Sequence, residues 1–174
     1  SVMVVTALLA AGLGALGASP PLSRACNAPP LPAPTGNVVR VSTEGQLQSA
    51  MGSLATGATI LIEPGTYNLS GTLQVAYGVH DVTIRGSTDS CDDAVLAGKG
   101  MNNSNYGGVP HGFWVGNAQR VTIANLTIRD VWYHPIQFDP GQGAQAPHIY
   151  NVHMIDAGEQ FIKISATGEF PSTA

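Results

Sequence analysis

Apolar and polar residues alternate along two stretches of the chain that can be laid over each other. Residues 121–139 match residues 147–165 at a constant offset of 26 positions, with Ile123 over Ile149. An alternation with a period of two is typical of β-strands, and neither stretch shows a helical stripe. A fixed period of roughly 20–50 residues is typical of proteins built from stacked repeats. The pattern therefore predicts a β-solenoid whose repeats bury their apolar sides against one another.

Three columns of inward-facing apolar residues are predicted when the strands are superposed. Three strands per turn are typical of a parallel β-helix, and right-handed crossovers dominate between parallel strands. Asn125 and Asn151 share one corner, where we expect their side chains to form a structural ladder. The chain is therefore predicted to be all-β, a right-handed parallel β-helix. The first column contains Ile60, Phe113, Ile136 and Ile162, the second Val82, Val121 and Ile149, and the third Leu126 and Val152.

The chain divides into three predicted regions. Residues 1–25 have the apolar run and the small residues before Cys26 that a secretory signal peptide requires, without its N-terminal end. Residues 26–37 are rich in proline and are predicted to form a stiff linker. Residues 38–174 are predicted to be the β-helix domain, incomplete at its C-terminus. An amphipathic helix near residues 44–54 is expected to cap the first coil.

Charge and cysteine content limit the partners of the protein. The chain has 7 basic and 11 acidic residues, so it offers no basic footprint for nucleic acid. Two cysteines fit an exported protein, located outside the cell, in the periplasm or on the outer surface. The sequence leaves three states possible for Cys26: a disulfide with Cys91, a free thiol, or a lipidated cysteine that tethers the protein to a membrane. We expect the protein to be a monomer.

Motifs before the repeat also read as short strands separated by turns. Within residues 47–86 a helix is followed by ATILIEPGTY, TLQV and VTIRG, and the repeats read VTIANLTIRDV and HIYNVHMIDAG. Over residues 38–165 these motifs resemble right-handed parallel β-helix proteins of the pectin-lyase-like superfamily. The resemblance implies an exported carbohydrate-active protein with a polysaccharide substrate in a groove on one face. It does not specify one activity, because one fold can carry many functions.

Polar and aromatic residues are concentrated on the outer side of the first predicted column. Neighbouring strands lie about 4.8 Å apart, so residues distant in sequence converge on one strip. Trp114 offers a sugar ring an apolar face and an edge that can form hydrogen bonds. The predicted substrate-binding residues are Trp114, His111, Gln137, Gln160 and Asp139, and the candidate catalytic residues are Lys163, His134 and Glu159.

The resemblance also implies a reaction. Lyases and epimerases of this kind remove the C5 proton beside a uronate carboxylate with a Lys, Arg or His, while a cation or Ca²⁺ neutralises that carboxylate. Lys163 and His134 are the candidate bases, and Glu159 and Asp139 offer oxygen ligands for Ca²⁺. The segment from Glu159 to Lys163 resembles the Glu/Lys strand of alginate- and chondroitin-type lyases. The leading prediction is therefore lyase or epimerase chemistry on an acidic polysaccharide.

Two other functions fit the same scaffold. A glycoside hydrolase needs two carboxyl groups that are either about 5–5.5 Å or about 6.5–9.5 Å apart, and Asp139 with Glu159 is the obvious pair. A surface protein that binds or adheres to carbohydrate needs no catalytic group, and the Pro-rich linker favours it. The histidines can also be stacked surface residues, and Lys163 can simply oppose Glu159 on the strand.

Overall fold

A computed structural model describes residue 26 and residues 28–102 and 107–165; the predicted signal peptide, residues 1–25, lies outside the described residues. The described chain is mostly β, with parallel strand pairing and a single α-helix, α1 (Glu44–Gly52). A short 3₁₀ turn spans Pro140–Gln142. The strands are β1 (Val38–Val41), β2 (Thr59–Ile62), β3 (Gly65–Asn68), β4 (Leu73–Gln74), β5 (Thr83–Gly86), β6 (Ala94–Ala97), β7 (His111–Val115), β8 (Thr122–Val131), β9 (His134–Phe138), β10 (His148–Ala157) and β11 (Ile162–Ile164).

The helix α1 begins at a polar cap and buries one side. The side-chain oxygen of Thr43 accepts a hydrogen bond from the backbone N–H of Gln46 at 3.3 Å, which satisfies one of the free donors of the first turn. Leu47 and Met51 are buried on one face of α1, as the apolar spacing predicts. The helix packs against β1 and β4, at the start of the stack of strands.

The strands form two parallel sheets in which the sequence repeat becomes a stacking register. In one sheet, β1, β2, β5 and the first half of β8 are neighbours in that order. The second half of β8 pairs with β6, and β6 pairs with β3. β10 covers the length of β8, with Ile149 beside Ile123. The other sheet has the order β11, β9, β7, β4, with Ile162 beside Ile136. Both pairs are separated by the 26 residues of the repeat.

One member of the first predicted column, Ile60, is misplaced, whereas Phe113, Ile136 and Ile162 are register partners as predicted. Ile60 of β2 pairs with Ile84 of β5, whereas the partner of Phe113 in β7 is Leu73 of the two-residue strand β4. The physical reason is that all four residues of β2 are buried, so alternation does not distinguish the column to which this strand belongs. As a result, Gln74 of β4 lies beside Trp114, and no residue of β2 does.

The long strands β8 and β10 turn a corner without a break in pairing. Asn125 and Asn151 have φ values of 52° and 51°, a left-handed conformation that Asn adopts more readily than most residues. The Nδ2 of Asn151 donates a hydrogen bond to the Oδ1 of Asn125 at 3.0 Å. In the layer before them lies Gly86, where a β-carbon would be only 2.1 Å from the backbone oxygen of Asn125. The corner is therefore built from one glycine and two stacked asparagines.

The core lies between the sheets, and the Pro-rich segment lies outside it. Side chains such as Phe113, Ile123 and Phe138 are almost fully buried. The Tyr150 hydroxyl donates a hydrogen bond to the carbonyl of Pro29, a residue of the Pro-rich segment, at 2.8 Å. No helix in the described ranges is long and apolar enough to span a membrane.

A disulfide joins Cys26 to Cys91, 65 residues later in the chain. This disulfide connects the start of the Pro-rich segment to the loop between β5 and β6. A sulfur atom in a disulfide has no free valence for a lipid, so the tether at Cys26 and this bond exclude each other.

Candidate functional site

A register of outward side chains crosses the four-stranded sheet. Gln74, Trp114, Gln137 and Lys163 lie side by side on β4, β7, β9 and β11. Trp114, Gln137 and Lys163 are partly exposed, and Gln74 is exposed. The indole of Trp114 lies directly over Gly116. A β-carbon at Gly116 would be only 2.4 Å from the indole carbon Cη2, so a larger residue would clash with the ring. The sheet therefore brings three of the predicted site residues into one row.

Three rings are stacked at the N-terminal ends of β7 and β9. His111 and His134 are register partners, and their ring centroids are 5.4 Å apart with planes inclined by 22°. The ring of Tyr133 lies 5.7 Å from that of His111 and 5.9 Å from that of His134. The sequence analysis did not include Tyr133. Its position directly before a predicted site histidine was the only signal for it.

The surroundings of His134 define its hydrogen-bonding pattern. This side chain is only 6% exposed. Its Nδ1 lies 3.1 Å from the carbonyl oxygen of Gln160, and a carbonyl only accepts, so Nδ1 carries a proton. Its Nε2 lies 3.7 Å from the carboxylate of Glu159, which is exposed. Nε2 is therefore the ring nitrogen that faces Glu159.

His111 is a neutral ring at neutral pH. Burial lowers its pKa to about 4, the neighbouring His134 lowers it as well, and Glu159 opposes the shift. Its Nδ1 is buried and has no hydrogen-bond partner in the described chain. A neutral imidazole can accept a hydrogen bond at one nitrogen and donate one at the other, so His111 is equipped to contact a neutral hydroxyl.

The depressed pKa of His111 predicts a loss of stability in mild acid. The unfolded chain takes up a proton near the ordinary His pKa of 6.5, and the folded chain does so only near 4. Stability from this group is therefore fully present above about pH 6.5 and is lost as the pH falls towards 4. In thermal melts at about pH 7.5 and pH 5, His111→Gln should show a smaller difference in Tm than the wild type. A difference in Tm that is the same for His111→Gln and the wild type would contradict the assignment.

Two clefts flank the three rings. The aromatic cleft has a volume of about 290 Å³, and the Tyr133 cleft has a volume of about 270 Å³. His111 lines the first, while Tyr133 and Glu159 line the second. The stacked rings therefore form the wall between two depressions. The aromatic cleft is lined by Thr72, Gln74, Tyr77, Pro110, His111 and Trp114, and the Tyr133 cleft by Met101, Trp132, Tyr133, Gly158 and Glu159.

Asp139 supports the aromatic cleft from behind. Its Oδ2 accepts a hydrogen bond from the Nε2 of Gln142 at 2.8 Å, and the Oε1 of Gln142 accepts one from the Tyr77 hydroxyl at 3.1 Å. The Tyr77 ring lies 5.9 Å from that of Trp114. Asp139 itself is only 8% exposed. Its geometry is that of a residue that positions Tyr77, which the sequence analysis also missed.

Asp139 and Glu159 lie at opposite ends of β9. Glu159 is beside Tyr133, to whose carbonyl its N–H donates a hydrogen bond, and Asp139 follows the last residue of the strand. Asp139 comes five positions after His134, which in a strand corresponds to about 17 Å. This separation does not fit a Ca²⁺ ion held by both carboxylates. It is also longer than the carboxyl–carboxyl distances of about 5–9.5 Å in glycoside hydrolases.

Comparisons with known proteins add little to this geometry. No protein-family model matches the chain, and no curated protein sequence does. Among solved structures, the chain is similar to an alginate lyase from Paenibacillus sp. str. FPU-7, with 14% sequence identity and a TM-score of 0.33. The match covers 74% of this chain and 64% of that protein, so the chain spans less than two thirds of its length. A TM-score of this size does not establish a shared fold.

Proposed function

We propose that the stacked parallel strands are turns of a right-handed parallel β-helix whose four-stranded face binds an acidic polysaccharide. The repeat period, the parallel register and the asparagine corner support the winding, and right-handed crossovers are the rule for parallel strands. Helix α1 closes the first turn, as terminal elements of repeat proteins do. Export is supported by the disulfide, because such bonds persist mainly in oxidising compartments.

The observation that carries the proposal is the grouping of proton-transfer groups between two clefts. His134 and Glu159 are 3.7 Å apart at the wall between them, and Lys163 lies on the same sheet, two strands from Trp114. A polysaccharide chain is long enough to occupy both clefts, with a sugar ring against Trp114 and the next residues crossing the row towards Lys163. Aromatic rings favour the apolar faces of sugars, and amide groups such as that of Gln137 bind hydroxyls.

The chemistry that fits these groups is abstraction of the C5 proton of a uronate residue, as in a lyase or epimerase. Lys163 is partly exposed in the row, so its amine can reach a bound sugar. His134 is buried and both of its ring nitrogens face protein oxygens, so it is less accessible to a sugar. We therefore assign Lys163 as the proton acceptor and the His134–Glu159 pair as a second group on the same sheet that carries charge and protons.

A product assay tests the proposal. The chain is incubated with polymers of 1,4-linked uronates, with a neutral glucan as the matched control, and the ultraviolet absorbance of the unsaturated product is followed. A rise with the acidic polymers alone is the expected result for a lyase, and C5 inversion without chain cleavage, read by nuclear magnetic resonance, is the expected result for an epimerase. Release of reducing ends without absorbance would instead indicate a hydrolase. Binding without any product would indicate a carbohydrate-binding module, and either outcome would overturn the proposed reaction.

A further inference from the structure

A second cluster of reactive side chains lies away from the candidate site. The loop between β5 and β6 contains Cys91 and Asp92, and it packs near His153 of β10 and near Cys26 of the N-terminal segment. The potential ligand atoms of these four residues all lie within 4.8 Å of one another. They are beside the sheet that contains β8 and β10, whereas the candidate site is on the sheet of β4, β7, β9 and β11.

The carboxylate of Asp92 is at the centre of this cluster. Its Oδ1 lies 3.7 Å from the sulfur of Cys26, 3.8 Å from that of Cys91 and 3.7 Å from the Nδ1 of His153. A disulfide sulfur carries no hydrogen, so the contacts with the two sulfurs are not hydrogen bonds. In a tetrahedral zinc site with bonds of about 2.0–2.3 Å, neighbouring ligand atoms are about 3.3–3.8 Å apart. The contacts of Asp92 therefore have the spacing of a tetrahedral ligand set.

We propose that reduction of the Cys26–Cys91 disulfide converts this cluster into a Zn²⁺ site with two thiolates, one imidazole and one carboxylate. A phosphine reductant breaks the sulfur–sulfur bond, takes its oxygen from water to become a phosphine oxide, and leaves two thiols. Zn²⁺ then binds as both thiols release their protons. Thiolate and imidazole ligands favour Zn²⁺ over the hard cations Ca²⁺ and Mg²⁺.

The surrounding hydrogen bonds hold the loop in the required position. The Thr127 hydroxyl donates to the carbonyl oxygen of Cys91 at 2.8 Å, and the side chain of Asn151 donates to the carbonyl oxygen of Asp89 at 3.0 Å. Such outer contacts orient the ligands of metal sites. Cys91 is only 1% exposed, whereas the side chains of Asp92 and His153 are about 40% exposed. The cluster is thus anchored on its inner side and open to an ion from solvent.

The Zn²⁺ site would provide a second way to link the Pro-rich segment to the rest of the protein. With the disulfide formed, Cys26 holds that segment near the sheet, where Arg85 donates a hydrogen bond to the carbonyl of Pro32 at 3.0 Å. With the disulfide reduced, Zn²⁺ joins Cys26 to the same loop and to β10. The segment then stays in place in both redox states, as long as metal is present.

Metal titration of the reduced chain tests the proposal. After reduction under argon and a thiol count, we expect one Zn²⁺ or Co²⁺ per chain, with the charge-transfer and d–d bands of tetrahedral thiolate-bound Co²⁺. His153→Gln and Asp92→Asn should each lower the Zn²⁺ affinity by at least about 10-fold. That is the smaller loss seen when a residue that only supports a metal ligand is replaced, and loss of a ligand itself should cost more. The oxidised chain should give no such Co²⁺ spectrum.

The matched control is His148→Gln, at the start of the same strand β10 but outside the cluster, which should bind Zn²⁺ as the wild type does. Absence of binding to the reduced wild type would overturn the proposal. Equal affinities of the wild type and His153→Gln would overturn it too, because two thiolates of an unfolded chain need no histidine. Thermal melts provide a second readout, since Zn²⁺ should raise the Tm of the reduced wild type more than that of His153→Gln.

Discussion

Replacement of Lys163 by alanine is expected to lower the rate of release of unsaturated uronide by about 10²–10⁴-fold, the usual contribution of a general base. The reason is that Lys163 is the accessible amine in the row that also contains Trp114 and Gln137. The measurement is the initial rate of absorbance increase at saturating polymer. Affinity for the polymer should change much less than the rate, because the row keeps its other contacts.

The chain offers a well-matched control for this experiment. Its sequence contains two lysines, and the other one, Lys99, lies between β6 and β7, outside the row of side chains on the four-stranded sheet to which Lys163 belongs. Lys99→Ala should therefore retain the wild-type rate. A Lys163→Ala variant that keeps its full rate would exclude Lys163 as the base. If His134→Ala had lost activity in the same series, the role of base would pass to His134.

Replacement of Gly86 by alanine is expected to lower the free energy of unfolding by about 3 kcal/mol. This is the upper end of the usual cost of adding a carbon atom to a well-packed interior. A β-carbon at Gly86 would be 2.1 Å from the backbone oxygen of Asn125, and backbone cannot move aside as a flexible side chain can. The Tm should fall by about 6–12 °C for a domain of this size. Thermal or denaturant unfolding of the purified variant measures the change.

A glycine of helix α1 is the control. Gly45 has nothing within 4 Å of the position of its β-carbon. Gly45→Ala should therefore stabilise the chain by up to about 1 kcal/mol, because alanine is the better helix former. Equal stabilities of Gly86→Ala and the wild type would show that the corner has room for a β-carbon and would contradict close stacking of the layers there.

The parallel register was predictable where the sequence repeats itself. The offset of 26 residues placed Ile149 over Ile123 and Ile162 over Ile136, and the structure has both pairs. Prediction was wrong at β2, whose four buried residues carry no alternation, and it did not place the TLQV segment, which contains the two-residue strand β4, in the first column. Periodicity identifies a strand that is exposed on one face, but it is silent for strands that are very short or buried on both faces.

The candidate site was predictable in part, for a related reason. The row from Trp114 to Lys163 follows from register alone. The pairing of Tyr77 with Gln142 and the position of Tyr133 against both histidines depend on loops that have no repeat, and on ring packing between segments. The sequence contains no repeat from which contacts of this kind could be predicted. For the same reason, the distance between Asp139 and Glu159 became clear only when the direction of β9 was known.

The pairing described for the sheets also bears on how quickly the chain reaches its native state. Partners such as Leu73 and Phe113 are 40 residues apart, so a strand gains its neighbour only after a long segment has closed. Chains dominated by such distant pairing fold slowly and expose strand edges meanwhile. Helix α1 is the one α-helix of the described ranges and forms from neighbouring residues. We therefore expect slow refolding from denaturant, with yields that improve on dilution.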